Sequence, residues 1–185
     1  MDCIKEALFL LEFFDVVRTR RSVRSFKAEP VPDEVLNRIL EAVRIAPSGS
    51  NRQPWRFIVV KDEAVKQKLI PACGDQKWLA EAPVIVVACG QVFDYNRGGY
   101  MEDNSFLVDV SIGMTHLILA ARNEGLGTCW IGFFDNREVK KVLGVPEGWN
   151  VVGLTPLGYP KAGNKAFTDP GQRKQLSEIV STDKF

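Results

Sequence analysis

Pro83-Val84-Ile85-Val86-Val87-Ala88-Cys89 is the stretch on which the fold turns. An unbroken apolar, β-branched run opened by a proline reads as a strand buried on both faces, which belongs in the middle of a sheet. Further strands are expected at Trp55 to Lys61, Thr128 to Phe133 and Val151 to Leu157, each bounded by turn residues. Helical spacing places helices between them. Pro32 ahead of Asp33 and Glu34 starts one that buries Val35, Leu36, Ile39, Leu40 and Val43, and Pro47 stops it. A short helix runs from Asp62 to Ile70. The longest runs from Ser105 to Asn123, with Gly125 ending it, and is apolar on several faces, so it is either central to the core or buried in a dimer. Asp135-x-x-Glu138 has the form of a capping box for a last helix that Gly144 terminates. The order is not a strict βαβ repeat, so the class is α+β, helices packed around one mixed sheet.

The chain has 185 residues, 45% hydrophobic and 25% charged, enough for one ordinary globular core. Its 24 basic and 23 acidic side chains nearly cancel. No whole-protein field pulls toward nucleic acid or membrane, so any anion site must be local. Cys3, Cys73, Cys89 and Cys129 are far apart, and His116 is the only histidine, so no metal site is expected. The thiols read as buried, reduced small hydrophobes in a cytoplasmic protein. Met1 to Val17 carries Asp2, Glu6, Glu12 and Asp15 and reads as a helix, not a signal peptide. No stretch has the roughly 20 uninterrupted apolar residues of a membrane span.

Two constellations carry chemistry. Arg20-Arg21-Ser22-Val23-Arg24 offers guanidinium forks and a hydroxyl, a set suited to a phosphate dianion, although a basic run of this size is more often plain solvated surface. A nucleic-acid contact through Arg18 to Arg24 is a further alternative. Pro47-Ser48-Gly49-Ser50-Asn51-Arg52-Gln53-Pro54 is a loop with hydroxyls, carboxamides and backbone amides able to read the edge of a planar heterocycle; a plain turn is the competing reading. A dinucleotide glycine fingerprint is absent. His116, inside an apolar helix, reads as a packed or interface residue.

Arg20-Arg21-Ser22-Val23-Arg24-Ser25-Phe26 followed by Pro47-Ser48-Gly49-Ser50-Asn51-Arg52-Gln53-Pro54-Trp55-Arg56-Phe57 resembles the nitroreductase pattern. Glu81-Ala82-Pro83, Gly125-Leu126-Gly127-Thr128-Cys129-Trp130-Ile131-Gly132 and Leu157-Gly158-Tyr159-Pro160 continue it in order. The resemblance runs from about Phe14 to the C-terminus and implies one FMN-binding domain over residues 1–185, with 1–13 an extension outside the pattern. It implies a nitroreductase-like sandwich whose sheet is largely antiparallel and whose C-terminal tail reaches the partner subunit of a homodimer. By the same resemblance Arg20, Arg21, Ser22 and Arg24 surround the FMN phosphate and ribityl chain, with Arg173 closing on the phosphate and Lys161 and Lys165 as weaker candidates. Pro47, Ser48, Asn51 and Gln53 reach the flavin from the partner, and Trp130, Ile131 and Gly132 lie against the ring. Residues 90–104 form the variable acceptor loop, with Phe93, Tyr95 and Tyr100, joined by Gln76, as substrate contacts. The implied activity is that of an oxidoreductase, ping-pong hydride transfer from NAD(P)H through FMN to a small acceptor such as a nitroaromatic, quinone or flavin. No side chain is named as catalytic, because the cofactor carries the chemistry. A flavin carrier or flavin-consuming protein of the same fold is the alternative.

Overall fold

The computed structural model describes residues 11–93, 97–168, 171 and 173–185. Among them the elements are α1 (Phe13–Thr19), α2 (Asp33–Arg44), β1 (Trp55–Val60), α3 (Glu63–Ala72), β2 (Val84–Gln91), α4 (Phe106–Asn123), β3 (Gly127–Thr128), α5 (Asn136–Leu143) and β4 (Trp149–Gly158). The first helix begins at Phe13 with Glu12 as its N-cap, so Leu11 and Glu12, expected within it, stand outside; the helical reading of residues 1–10, like Cys3, lies outside the described residues.

The strands form one sheet in the order β1-β2-β4-β3 with antiparallel ladders throughout, which is the α+β architecture expected. β2 is central, as its uniform hydrophobicity requires. Its alternating side chains feed two cores: Val84, Val86 and Ala88 pack with α2 and α4, and Ile85, Val87 and Cys89 pack on the opposite face with residues of α3, α5 and β4. α2 buries Leu36, Ile39 and Val43, one stripe at helical spacing. Gly125 lies at φ 76° and Gly144 at φ 65°, the left-handed conformations that end α4 and α5. Asp135 caps α5 by accepting the Glu138 N–H at 3.1 Å. Asp135→Ala is expected to lower stability by about 1 kcal/mol, read as a shift of the urea midpoint at constant slope.

One expected strand is broken. Thr128 to Phe133 should have run continuously, yet β3 stops at Thr128 and pairing resumes only at the isolated bridge Ile131↔Leu154. In that register Cys129 faces Pro156, which has no N–H to return to the Cys129 carbonyl. The Cys129 N–H turns instead to the Thr155 hydroxyl at 3.1 Å.

By length and composition Glu102–Asn123 could cross a membrane, but here it is a core helix that keeps Phe106, Val110, Met114, Leu117 and Ala121 against the sheet. Among the described residues its other face is left uncovered. Leu107, Val108, Ile112 and Leu119, together with Phe13, line an apolar groove of about 720 Å³. His116 sits at its margin with Nδ1 3.1 Å from the Ala42 carbonyl. Cys73, Cys89 and Cys129 are buried, and burial raises the thiols of Cys73 and Cys89 to about 11.

Candidate functional site

The basic segment leaves α1 and runs along the free edge of β3. The Val23 N–H donates to the Thr128 carbonyl at 2.8 Å, the Lys27 N–H to Tyr159 at 2.9 Å, and the Lys161 N–H to Ser25 at 3.1 Å. Val23 and Phe26 anchor it in the interior. Pinned in this way, the chain leaves Arg20 and Arg21 half-buried and Ser22 and Arg24 exposed.

Burial first, then the charges of Arg173 and Arg21, pull the Arg20 guanidinium below the ordinary arginine value. The structure therefore brings the C-terminal Arg173 into electrostatic reach of Arg20, from the other end of the chain. Arg21 serves as a tie, donating to the carbonyls of Thr168 at 2.9 Å, Arg18 at 2.8 Å and Arg20 at 2.6 Å. Arg24 leans over the Trp78 ring, 5.9 Å from its centroid. Lys161 is paired with Glu81 at 3.0 Å, and that hydrogen bond holds the Glu81 carboxyl below its usual range.

Trp130 to Gly132 begin two residues on from β3. Trp130 is 37% exposed and lies over Gly153, where an added Cβ would stand 3.0 Å from the indole. The Ile131 amide is committed to the Leu154 carbonyl at 2.8 Å, whereas Gly132 is exposed. Thr128 pairs with Leu157 and Ile131 with Leu154, so the basic segment and this platform lie about 10 Å apart along β4 at roughly 3.3 Å per residue.

The Pro47–Gln53 loop stands at the far end of the sheet. Trp55, just past it, pairs with Gly90, whereas Val84 at the other end of β2 pairs with Leu157 beside Thr128. Six residues of β2 separate the two ends, about 20 Å along the strand. The loop is wound tightly: Ser50, Asn51 and Gln53 have φ of 51°, 54° and 52°. Left-handed non-glycine residues cost energy and persist where surrounding contacts over-determine them. The Ser48 hydroxyl accepts the Gln53 N–H at 3.0 Å, and the Gln53 carboxamide donates to the Asn51 carbonyl at 3.0 Å. Pro47, Asn51 and Gln53 are exposed.

The expected substrate contacts do not converge. Phe93 packs against the α2–α4 core with the Arg52 guanidinium 5.2 Å from its ring centroid, and Tyr100 is 79% exposed. Gln76 lies beside the opposite core, donating its carboxamide to the Cys73 carbonyl at 2.8 Å. Tyr95 lies outside the described residues. Two polar residues had not been singled out from the sequence: Asp109, fully buried in α4, and Arg97, which pairs with it at 2.5 Å. The signal was present, since Asp109 is the sole acidic residue in α4 and a carboxylate in such a run requires a partner. Among the described residues no cluster of three or more His, Cys, Asp or Glu is placed to hold a metal.

The model of the nitroreductase family matches residues 17–78 and 71–159. The chain belongs to the nitroreductase family. A putative NADH dehydrogenase/NAD(P)H nitroreductase of Archaeoglobus fulgidus is 34% identical over 154 residues, 81% of this chain and 86% of the relative. An iodotyrosine deiodinase of Thermotoga neapolitana is 31% identical over 192 residues, covering 90% of this chain and 95% of the relative. Among solved structures, NADPH:FMN oxidoreductase from Vibrio harveyi complexed with NAD+ is 25% identical with a TM-score of 0.78, over 94% of this chain and 77% of that one. The nitroreductase resemblance read in the sequence is thus matched by the family model and by the fold.

Proposed function

We propose that this chain, an oxidoreductase of the nitroreductase family, works as a homodimer that binds FMN non-covalently where two subunits meet and moves hydride from NAD(P)H to a small acceptor. The observation that carries the reading is the gathering of Arg20, Arg21 and Arg173 around one half-buried guanidinium. Like charges drawn together from distant parts of a chain repel, and an anion held between them relieves that repulsion. A phosphate monoester fits that set, with the Ser22 hydroxyl and Arg24 at its rim.

Bound there, FMN would supply two-electron redox chemistry, and the chain would supply position and electrostatics. Trp130, Ile131 and Gly132 would flank the ring, with the Gly132 amide free of the sheet bond that holds Ile131. Pro47, Ser48, Asn51 and Gln53 lead into β1, whereas Trp130 stands on the β3 side, with β2 and β4 between them, so they meet a ring beside Trp130 poorly from the same chain. A second copy, docked through the apolar α4 groove, offers the same loop from outside. The exposed Leu176, Ile179 and Val180 suit a tail that covers the partner.

Phe93 and Tyr100 remain the candidate acceptor contacts, with Tyr95 between them in sequence. Gln76 would need to approach from another side of the assembly. The name of the Thermotoga relative makes halogenated phenols acceptors to assay beside nitroaromatics, quinones and free flavins. Buried, reduced thiols suit a cytoplasmic enzyme.

The purified protein is expected to show a flavin spectrum that bleaches on anaerobic titration with NADH or NADPH and returns on adding acceptor. Colourless protein with no affinity for FMN contradicts the reading. Flavin that neither donor bleaches favours the carrier alternative. Nucleic-acid binding through Arg18 to Arg24 has little support, because the 24 basic and 23 acidic side chains of the chain nearly cancel and supply no wider field around the run.

A further inference from the structure

Asp109 is fully buried in α4, where its companions on the buried face are Phe106, Val110, Gly113, Met114, Leu117 and Ala121. An ionised carboxylate in such surroundings is costly unless it is paired and hydrogen-bonded. Its Oδ1 accepts from two directions: from the Gly49 N–H at 2.9 Å and from the Arg97 Nη2 at 2.5 Å. Its Oδ2 is buried and accepts no hydrogen bond among the described residues. Gly49 opens the turn that holds the left-handed Ser50 and Asn51. Arg97 opens the turn leading to Tyr100, and its own N–H donates to the Ser105 hydroxyl at 3.2 Å. The two segments meet a second time where Arg52 lies over Phe93.

We infer that Asp109 is a positioning residue: through Gly49 and Arg97 it fixes the Pro47–Gln53 loop and the acceptor segment to each other, so that one buried carboxylate sets the spacing between flavin-reading and acceptor-contacting residues. The assignment of those two roles rests on the function proposed above; the tie itself rests on geometry alone. A loop with three left-handed non-glycine residues needs outside contacts to hold it, and Asp109 provides the one that is shielded from water. Neutralising either partner should therefore release both segments together, although among the described residues only Gly49 and Arg97 hydrogen-bond the carboxylate.

Amide hydrogen exchange on flavin-free protein tests this in Asp109→Asn, Arg97→Gln and Arg97→Lys. Asp109→Asn and Arg97→Gln are expected to speed exchange by about tenfold or more in 49–53 and in 97–105 alike, with Arg97→Lys close to wild type. In FMN-loaded protein the same two variants should raise the KM for 1,4-benzoquinone by about fivefold or more while kcat changes less. Arg97→Gln alters a side chain outside the helix and carries the test if Asp109→Asn does not fold. Faster exchange confined to one segment, or absent from both, overturns the inference. If both segments loosen but the wild-type protein binds no FMN, the tie stands and the flavin reading falls.

Discussion

Arg20→Met is expected to weaken FMN binding by roughly 10- to 150-fold, the equivalent of losing about 1.5–3 kcal/mol of charge-assisted hydrogen bonding. Methionine keeps much of the aliphatic stem of the half-buried Arg20, so the change removes charge more than packing. Riboflavin, which has no phosphate, should lose little affinity in the same variant. The flavin-free protein is expected to respond in the opposite sense. Because burial, Arg173 and Arg21 disfavour the charged form of Arg20 in the folded chain, that charge opposes folding at every pH below arginine titration. Deleting it should leave the thermal midpoint of stripped protein unchanged or higher. Fluorescence titration with both flavins, beside unfolding of the stripped protein, reads all three outcomes. Equal losses for FMN and riboflavin would move the phosphate away from Arg20.

Gly127→Val is expected to dismantle the same site from beneath, with a loss of about 3 kcal/mol or more and little flavin retained. A Cβ at Gly127 would stand 2.8 Å from the Val23 Cβ and 2.9 Å from its Cγ1. Val23 has little room to yield, being buried and tied through its N–H to Thr128. The added branch must push the Ser22–Val23 segment off the edge of β3, carrying Arg20 and Arg24 with it. Gly127→Ala should lie between wild type and valine, and pairing it with Val23→Ala should recover much of the loss by returning space. Urea midpoints and the flavin absorbance of purified variants measure both effects. A Gly127→Val protein as stable and as yellow as wild type would show that this contact does not hold the segment.

Local chemistry explains what the sequence could disclose about these sites. The β2 run announced a central strand because only burial on both faces tolerates six successive apolar residues, and the Gly125 and Gly144 stops followed from left-handed caps. The break after Thr128 was not visible, since it depends on Pro156 facing Cys129 across a register that only the folded sheet defines. The loop bounds were plain from Pro47 and Pro54, but its winding was not: Ser50, Asn51 and Gln53 adopt glycine-like φ values under the hold of Ser48 and Asp109, and their identities carry no sign of it. Asp109 is legible as a lone acid in an apolar helix, but nothing in the sequence names Gly49 and Arg97 as its partners. Arg173 is the reverse case. No periodicity joins it to Arg20, and the pairing was reachable only through the nitroreductase resemblance. Gln76 is expected among the acceptor contacts, yet the fold puts it beside the opposite core from Phe93.

The central claim is that each flavin site is shared, the basic segment coming from one copy and the Pro47–Gln53 loop from the other. Co-expression of two defective chains tests it most directly, one Arg20→Met/Arg173→Met and the other Ser48→Ala/Asn51→Ala/Gln53→Ala, each binding little FMN alone. In a two-fold dimer the mixed species has one site in which both halves are intact, so random pairing should restore about a quarter of wild-type FMN binding. Binding no greater than the sum of the separate variants would mean that each chain builds its site unaided, contrary to this account.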